Sequence, residues 1–152
     1  MSAVQESAGD LKAALHNAHA LLLQTPKLAA EQAREILRVI PKQPDAELLL
    51  ASALRRTGDF DAARALLHPL RQQHPRSAPV WLEWGELCAC IGDDEIAARA
   101  LRRAVDLEPT MVRGWLALAG HCQAIEDVRG AAAAYAQFLR HSPRDPQPMR
   151  AA

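Results

Sequence analysis

Cys88 and Cys90 stand two residues apart in the stretch VWLEWGELCAC, residues 80–90, beside Trp81 and Trp84. Thiolates bind soft metals and attack electrophiles, so a segment holding two of the chain's three cysteines and two of its three tryptophans is the first place to look for chemistry. The spacing argues against it. Two residues along a helix rotate a side chain by about 200°, so Cys88 and Cys90 point in different directions and do not readily share one metal. Cys122 repeats Cys88 at an offset of 34, and Leu54 occupies the same place 34 residues earlier. That is a position for a small core hydrophobe, a usual role for a free cysteine. Cys90 falls elsewhere on the helix and reads as a partly accessible thiol. Three cysteines cannot all pair within one chain and show no disulfide framework, so a reducing, cytoplasmic setting is expected.

The histidines offer little more. His16 and His19 lie one helical turn apart and could share a metal, but no carboxylate or cysteine close by in sequence completes a site, and they read as polar residues of a terminal helix. His68, His74, His121 and His141 fit no nucleophile pattern. There is no Gly-rich phosphate loop, no Ser/His/Asp order and no paired carboxylates that chain order would single out. The expectation is a chain with no metal, no cofactor and no catalytic activity.

The elements that carry these residues follow from a repeat. Pro41, Pro75, Pro109 and Pro143 succeed one another at intervals of 34, and the same offset relates Trp81 to Trp115, Gly58 to Gly92, and Ala63 to Ala97 and Ala131. A period in this range marks a solenoid built from one supersecondary unit. In residues 78–111, Trp81, Trp84, Gly85 and Cys88 follow the spacing of one helix face until IGDDE interrupts. Gly92 suits a left-handed helix end, and Asp93 and Asp94 suit the start of the next helix. Ala97, Leu101 and Ala104 then share a stripe up to Pro109, which has no amide hydrogen to continue a helix. Small residues at Gly85 and Ala97 mark where the two helices cross closely. The unit is helix, tight turn, helix, turn.

Composition agrees with an all-α protein. At 152 residues the chain is about one ordinary domain. Hydrophobic residues make up 49%, charged residues 24% and aromatics only 4%, which favours helix over sheet. Eighteen basic residues balance eighteen acidic ones, so no overall cationic field draws nucleic acid. The longest apolar run near the N-terminus, residues 20–23, is too short for a signal core or a membrane span.

These residues resemble the tetratricopeptide repeat. Residues 78–111 match with Trp81, Trp84-Gly85, Gly92, Ala97, Leu101, Ala104 and Pro109; residues 112–145 with Trp115, Leu118-Ala119, Ala131, Tyr135 and Pro143, with Glu126 at the turn glycine's place. Residues 44–77 keep Leu50-Ala51, Leu54, Gly58, Phe60, Ala63, Leu67 and Pro75, with Glu47 where the aromatic belongs. Residues 10–43 form a degenerate first repeat, in which Thr25-Pro26 starts a second helix. Residues 1–9 and 146–152 are tails. The resemblance implies a right-handed superhelical solenoid of four antiparallel helix pairs, acting as a protein–protein interaction scaffold.

In such a solenoid the first helix of each pair lines the concave side, and residues pointing about 140° from the paired helix face the groove. The groove set comprises Leu48, Ser52, Arg55 and Arg56 from the second repeat, Leu82 and Glu86 from the third, and Arg113, Leu116 and Gln123 from the fourth. Leu48, Leu82 and Leu116 either form an apolar ladder along its floor or pack against neighbouring first helices. With Arg55, Arg56 and Arg113 beside it, the groove suits a peptide or protein segment with acidic flanks. The repeats that grip Hsp70/Hsp90 C-terminal tails use a Lys/Asn clamp. Here Ala14, Ala18, Leu49, Pro79 and Glu83 stand at those positions, so no such tail is expected to bind. The i,i+4 pairs Glu95/Arg99 and Arg102/Asp106 read as a solvated outer face.

After Leu139 the sequence RHSPRDPQPMRAA is too proline-rich for a capping helix. Val128, Ala132, Tyr135 and Leu139 are therefore candidates for self-association as a homodimer, unless the chain is a fragment whose next helix is missing. LLASALRRTGDFDAARALL and GAAAAYAQFLRHSPRDP also look like the amino-terminal repeat region of bacterial sulfotransferase fusion proteins, which implies a non-catalytic region of such an enzyme as the alternative function.

Overall fold

Prolines, glycines and acidic caps set where each helix can begin and end, and the helices follow that punctuation. The computed structural model describes residues 2–143, with side-chain surroundings from residue 9 onward. Eight helices occur among them: α1 (Ser2–Leu21), α2 (Pro26–Val39), α3 (Pro44–Arg56), α4 (Phe60–Gln73), α5 (Ala78–Cys90), α6 (Asp94–Leu107), α7 (Val112–Ala124) and α8 (Val128–His141). No strand is present among the described residues. Consecutive helices pack as antiparallel pairs, and the pairs stack into an all-α solenoid. Residues 2–9, set apart as a tail on sequence, are the opening turns of α1: no proline interrupts the run, and Gly9 alone does not stop it. The tail at 146–152 lies outside the described residues.

The turn inside each pair is the same device three times over. Gly58 and Gly92 take φ of +84° and +86°, and the amides of Asp59, Asp93 and Asp127 donate to the carbonyls of Leu54, Cys88 and Cys122 at 2.8–2.9 Å. These bonds close the helix ends in the Schellman manner. Glu126 holds the same left-handed place with φ +62°, a conformation that costs a side-chain-bearing residue about 1–2 kcal/mol. Capping departs from expectation in detail. Asp59 and Asp127 accept from the amides of Ala62 and Gly130, but neither the Asp93 nor the Thr25 side chain accepts from the helix that follows it. The Thr25 hydroxyl instead donates back to the Leu21 carbonyl at the end of α1.

Close approach of α5 and α6 is centred on Gly85. A Cβ there would lie 2.8 Å from Leu101 Cδ2 and 3.2 Å from the Leu101 amide nitrogen, so the glycine is needed for packing and not for its backbone freedom. Ala97 is fully buried in the same hairpin. Between pairs, the seam is fixed by a repeated hydrogen bond. Trp81 Nε1 donates to the Pro75 carbonyl and Trp115 Nε1 to the Pro109 carbonyl, each at 2.7 Å. Each indole thus holds a first helix to the turn that precedes it, with its half-buried ring packed against the core. Trp81 packs against both core clusters, one running from α1 to α6 and the other from α5 to α8.

Candidate functional site

The first helices contribute apolar residues to both sides of the layer, which lets them line a hollow as well as a core. Leu15, His16, His19 and Leu22 from α1 and its end, Asp45, Leu48, Leu49 and Ser52 from α3, Pro79 and Glu83 from α5, and Arg113 from α7 surround one cavity of about 380 Å³. A single hollow touching all four first helices requires that surface to curve inward. Leu48, Ser52 and Arg113 of the expected groove set therefore meet here, with His16 and His19, which by sequence alone read as plain polar residues. Ser52 Oγ is buried and has no hydrogen-bond partner among the described residues, a state that costs about 1–3 kcal/mol.

The other expected groove residues divide. Leu82 is only 3% exposed and sits in the core with Leu101 and Leu118, so the three-leucine ladder does not form. Leu48 is half-buried against the core, and Leu116 is 47% exposed. The physical reason is stacking: α7 covers the α5 surface carrying Leu82, whereas no described first helix follows α7. Arg56 is exposed but lines a separate recess beside Thr25 and Pro26. Gln123 is exposed and accepts from the Tyr135 hydroxyl at 3.1 Å.

Arg55 is the largest departure. Its Nε lies 3.0 Å from Glu83 Oε2 and its Nη2 lies 2.8 Å from Glu86 Oε2. Both Arg55 and Glu83 side chains are about nine-tenths buried, so this guanidinium is spent inside the wall and is not a free cation for a ligand. Burial opposes the Arg55 charge, but Glu83 and then Glu86 outweigh it and hold its pKa above the ordinary value. For Glu86 burial wins: it raises the pKa above 4.5 against the pull of Arg55. Arg113 forms no ion pair among the described residues.

Cys88 and Cys122 are buried in the two cores, and their thiol pKa values are pushed up, first by burial and then by Asp93 and Asp127 respectively. Cys90 is exposed at the end of α5. Among the described residues no three His, Cys, Asp or Glu side chains are grouped to hold a metal, and no helix is long and apolar enough to cross a membrane. His121 is buried with Nε2 3.1 Å from the Asp94 carbonyl, a tie between α7 and α6. Of the self-association set, Val128, Ala132 and Leu139 are exposed, and Tyr135 is half-buried. The Glu95–Arg99 pair forms on the surface; Arg102 and Asp106 do not pair.

Residues 44–87 match the family model for the tetratricopeptide repeat. No curated protein sequence matches the chain. Among solved structures, TTC0263, a thermophilic TPR protein of Thermus thermophilus, is similar at TM-score 0.78 and 26% identity, over 95% of this chain and 80% of that one. MamA from Desulfovibrio magneticus is similar at TM-score 0.66 and 18% identity, over 86% and 75%. A chain of the APC/C hetero-tetramer Cut9–Hcn1 gives TM-score 0.70 and 21% identity, over 84% of this chain and 25% of that one.

Proposed function

We propose, from the premise that this chain has the fold of the tetratricopeptide-repeat proteins, that it is a protein–protein interaction scaffold whose first-helix groove receives a segment of a partner protein. The observation that carries the reading is the cavity shared by α1, α3, α5 and α7, with apolar Leu15, Leu22 and Leu48 beside polar His19, Asp45 and Arg113. Such a surface offers an apolar side chain a place to bury and its flanking backbone polar partners. The unpaired Ser52 hydroxyl adds a hydrogen-bond group at the wall. Because Arg55 is neutralised internally, selectivity for an acidic flank rests on Arg113, with Asp45 opposing it.

Selection of displayed peptides on the immobilised chain tests this. Binders should lose affinity by about tenfold with Arg113→Glu, if the lost contact is one charged hydrogen bond. Binders indifferent to both Arg113→Glu and Leu48→Arg would place recognition elsewhere and overturn the reading.

A second reading, self-association through the last pair, is favoured by one comparison within the chain. Val105 on α6 is 3% exposed under α7, while Leu139, 34 residues later on α8, is 71% exposed. Among the described residues, the surface that receives a helix in one repeat is left open in the next. Sedimentation across a wide concentration range should show a dimer weakened by Leu139→Glu; a monomer at every concentration disposes of this reading.

A further inference from the structure

On the side away from the groove, Arg71 of α4, Trp81 and Trp84 of α5, and Ile96, Arg99 and Arg103 of α6 surround a second hollow of about 440 Å³. The Arg71 guanidinium lies 4.2 Å from the Trp84 ring centroid and 5.7 Å from that of Trp81, and the Arg103 guanidinium is also 5.7 Å from Trp81. Two cations therefore converge on one indole. Neither has a carboxylate partner among the described residues. Arg99 is paired with Glu95, but both side chains are at least three-quarters exposed, so that pair is easily exchanged for another anion. Trp84 is 9% exposed, and its buried indole N–H has no acceptor among the described residues.

The scaffold does not require the three arginines. Stepping 34 residues back from Arg71, Arg99 and Arg103 gives Leu37, Ala65 and Pro69; stepping 34 forward gives Val105, Ala133 and Gln137. The solenoid is built elsewhere without a single cation at these three positions, and Leu50 and Leu118 stand where Trp84 is. The cluster is local to the junction of the second and third repeats, where α4 meets α5 and α6.

We infer that this hollow is a second docking site, distinct from the groove, for an acidic segment of a partner protein that presents one apolar side chain between its carboxylates. The apolar side chain meets Trp81, Trp84 and Ile96, and the carboxylates meet Arg71, Arg99 and Arg103. Guanidinium groups that stack on indoles keep their N–H edges free for carboxylates, so both contacts are made at once. Nucleic acid is disfavoured because the chain has no net positive charge and only these three guanidiniums line the hollow. A free small anion would leave the apolar walls unused.

The test uses the full chain and its own fluorescence, since two of its three tryptophans line the site. The probes are the blocked peptides Ac-Asp-Glu-X-Glu-Asp-NH2 with X as Phe, Leu or Ala. Saturable changes are expected for Phe and Leu, with binding about tenfold weaker for Ala, about tenfold weaker for Arg103→Gln and weakened by salt. Arg71 covers Trp84, so Arg103, which is exposed, is the decisive variant, and Gln137 shows that glutamine suits its place. A thermal melt confirms that the variant folds. No saturable change from any peptide at millimolar concentration overturns the inference. So do equal binding by Arg103→Gln, equal binding of the Lys-for-acid analogues, or the same change from inorganic phosphate alone.

Discussion

Arg55 on α3 and Glu83 on α5 form an ion pair at 3.0 Å across the seam between two repeats, with 12% and 10% of the side chains exposed. Removing one partner strands the other's charge in the wall. Arg55→Ala should therefore cost about 3–5 kcal/mol, and pairing it with Glu83→Ala should restore part of that loss. Urea denaturation of the two single variants and the double variant reads the coupling. Arg55→Ala within experimental error of wild type would mean that the pair is not buried as described.

Glu86 makes stability depend on pH in a definite direction. Its folded pKa is raised above 4.5, so below that value the folded and unfolded states are both protonated and its stabilising contribution is fully present. As pH rises through the folded value the folded state must lose a proton it holds more tightly, and the contribution is lost. Glu86→Gln cannot titrate. Its stability relative to wild type should improve steadily as pH is raised from about 4.5, followed by thermal melts at matched ionic strength. A relative stability that falls with pH would show that Arg55, and not burial, governs this carboxyl.

Two glycines in helix interiors should respond in opposite ways to alanine. At Gly85 a methyl group meets Leu101 at 2.8 Å, and overpacking of about 1–3 kcal/mol outweighs a helix-propensity gain of about 1 kcal/mol. Gly120, in α7, has nothing within 4 Å of its added Cβ, so Gly120→Ala should gain about 0.5–1 kcal/mol. Chemical denaturation of both variants checks the pair. Equal effects would place the α5–α6 crossing away from Gly85.

The thiols should separate by burial. Cys90 should react fast with an aromatic disulfide reagent, while Cys88 and Cys122 wait for local or global opening, because each is buried and held protonated. Cys90→Ser should abolish the fast phase. Two or three fast thiols in the folded chain would contradict the core placement of Cys88 and Cys122.

The expected groove illustrates how far one chain's periodicity reaches. Leu48, Leu82 and Leu116 share a repeat position, so periodicity treats them alike. Only their neighbours tell them apart: Leu82 lies under α7, Leu48 edges the cavity, and Leu116 has no following first helix among the described residues. Arg55 reads as a free cation in the sequence because Glu83 is 28 residues away, and no local signal connects them. The convergence of Arg71 and Arg103 on Trp81 is hidden similarly, since they lie on separate helices.

By itself the sequence determined the helix–turn–helix period, the left-handed turns and the all-α class. Proline's missing amide, glycine's access to positive φ and the angular step of a helix act within a few residues and need no neighbour. Tertiary structure decided which members of each helix face remain in contact with solvent, which charges are already neutralised and where the cations gather. Those outcomes depend on how one pair of helices is laid against the next, and on whether another follows, so they exist only once the stack is assembled.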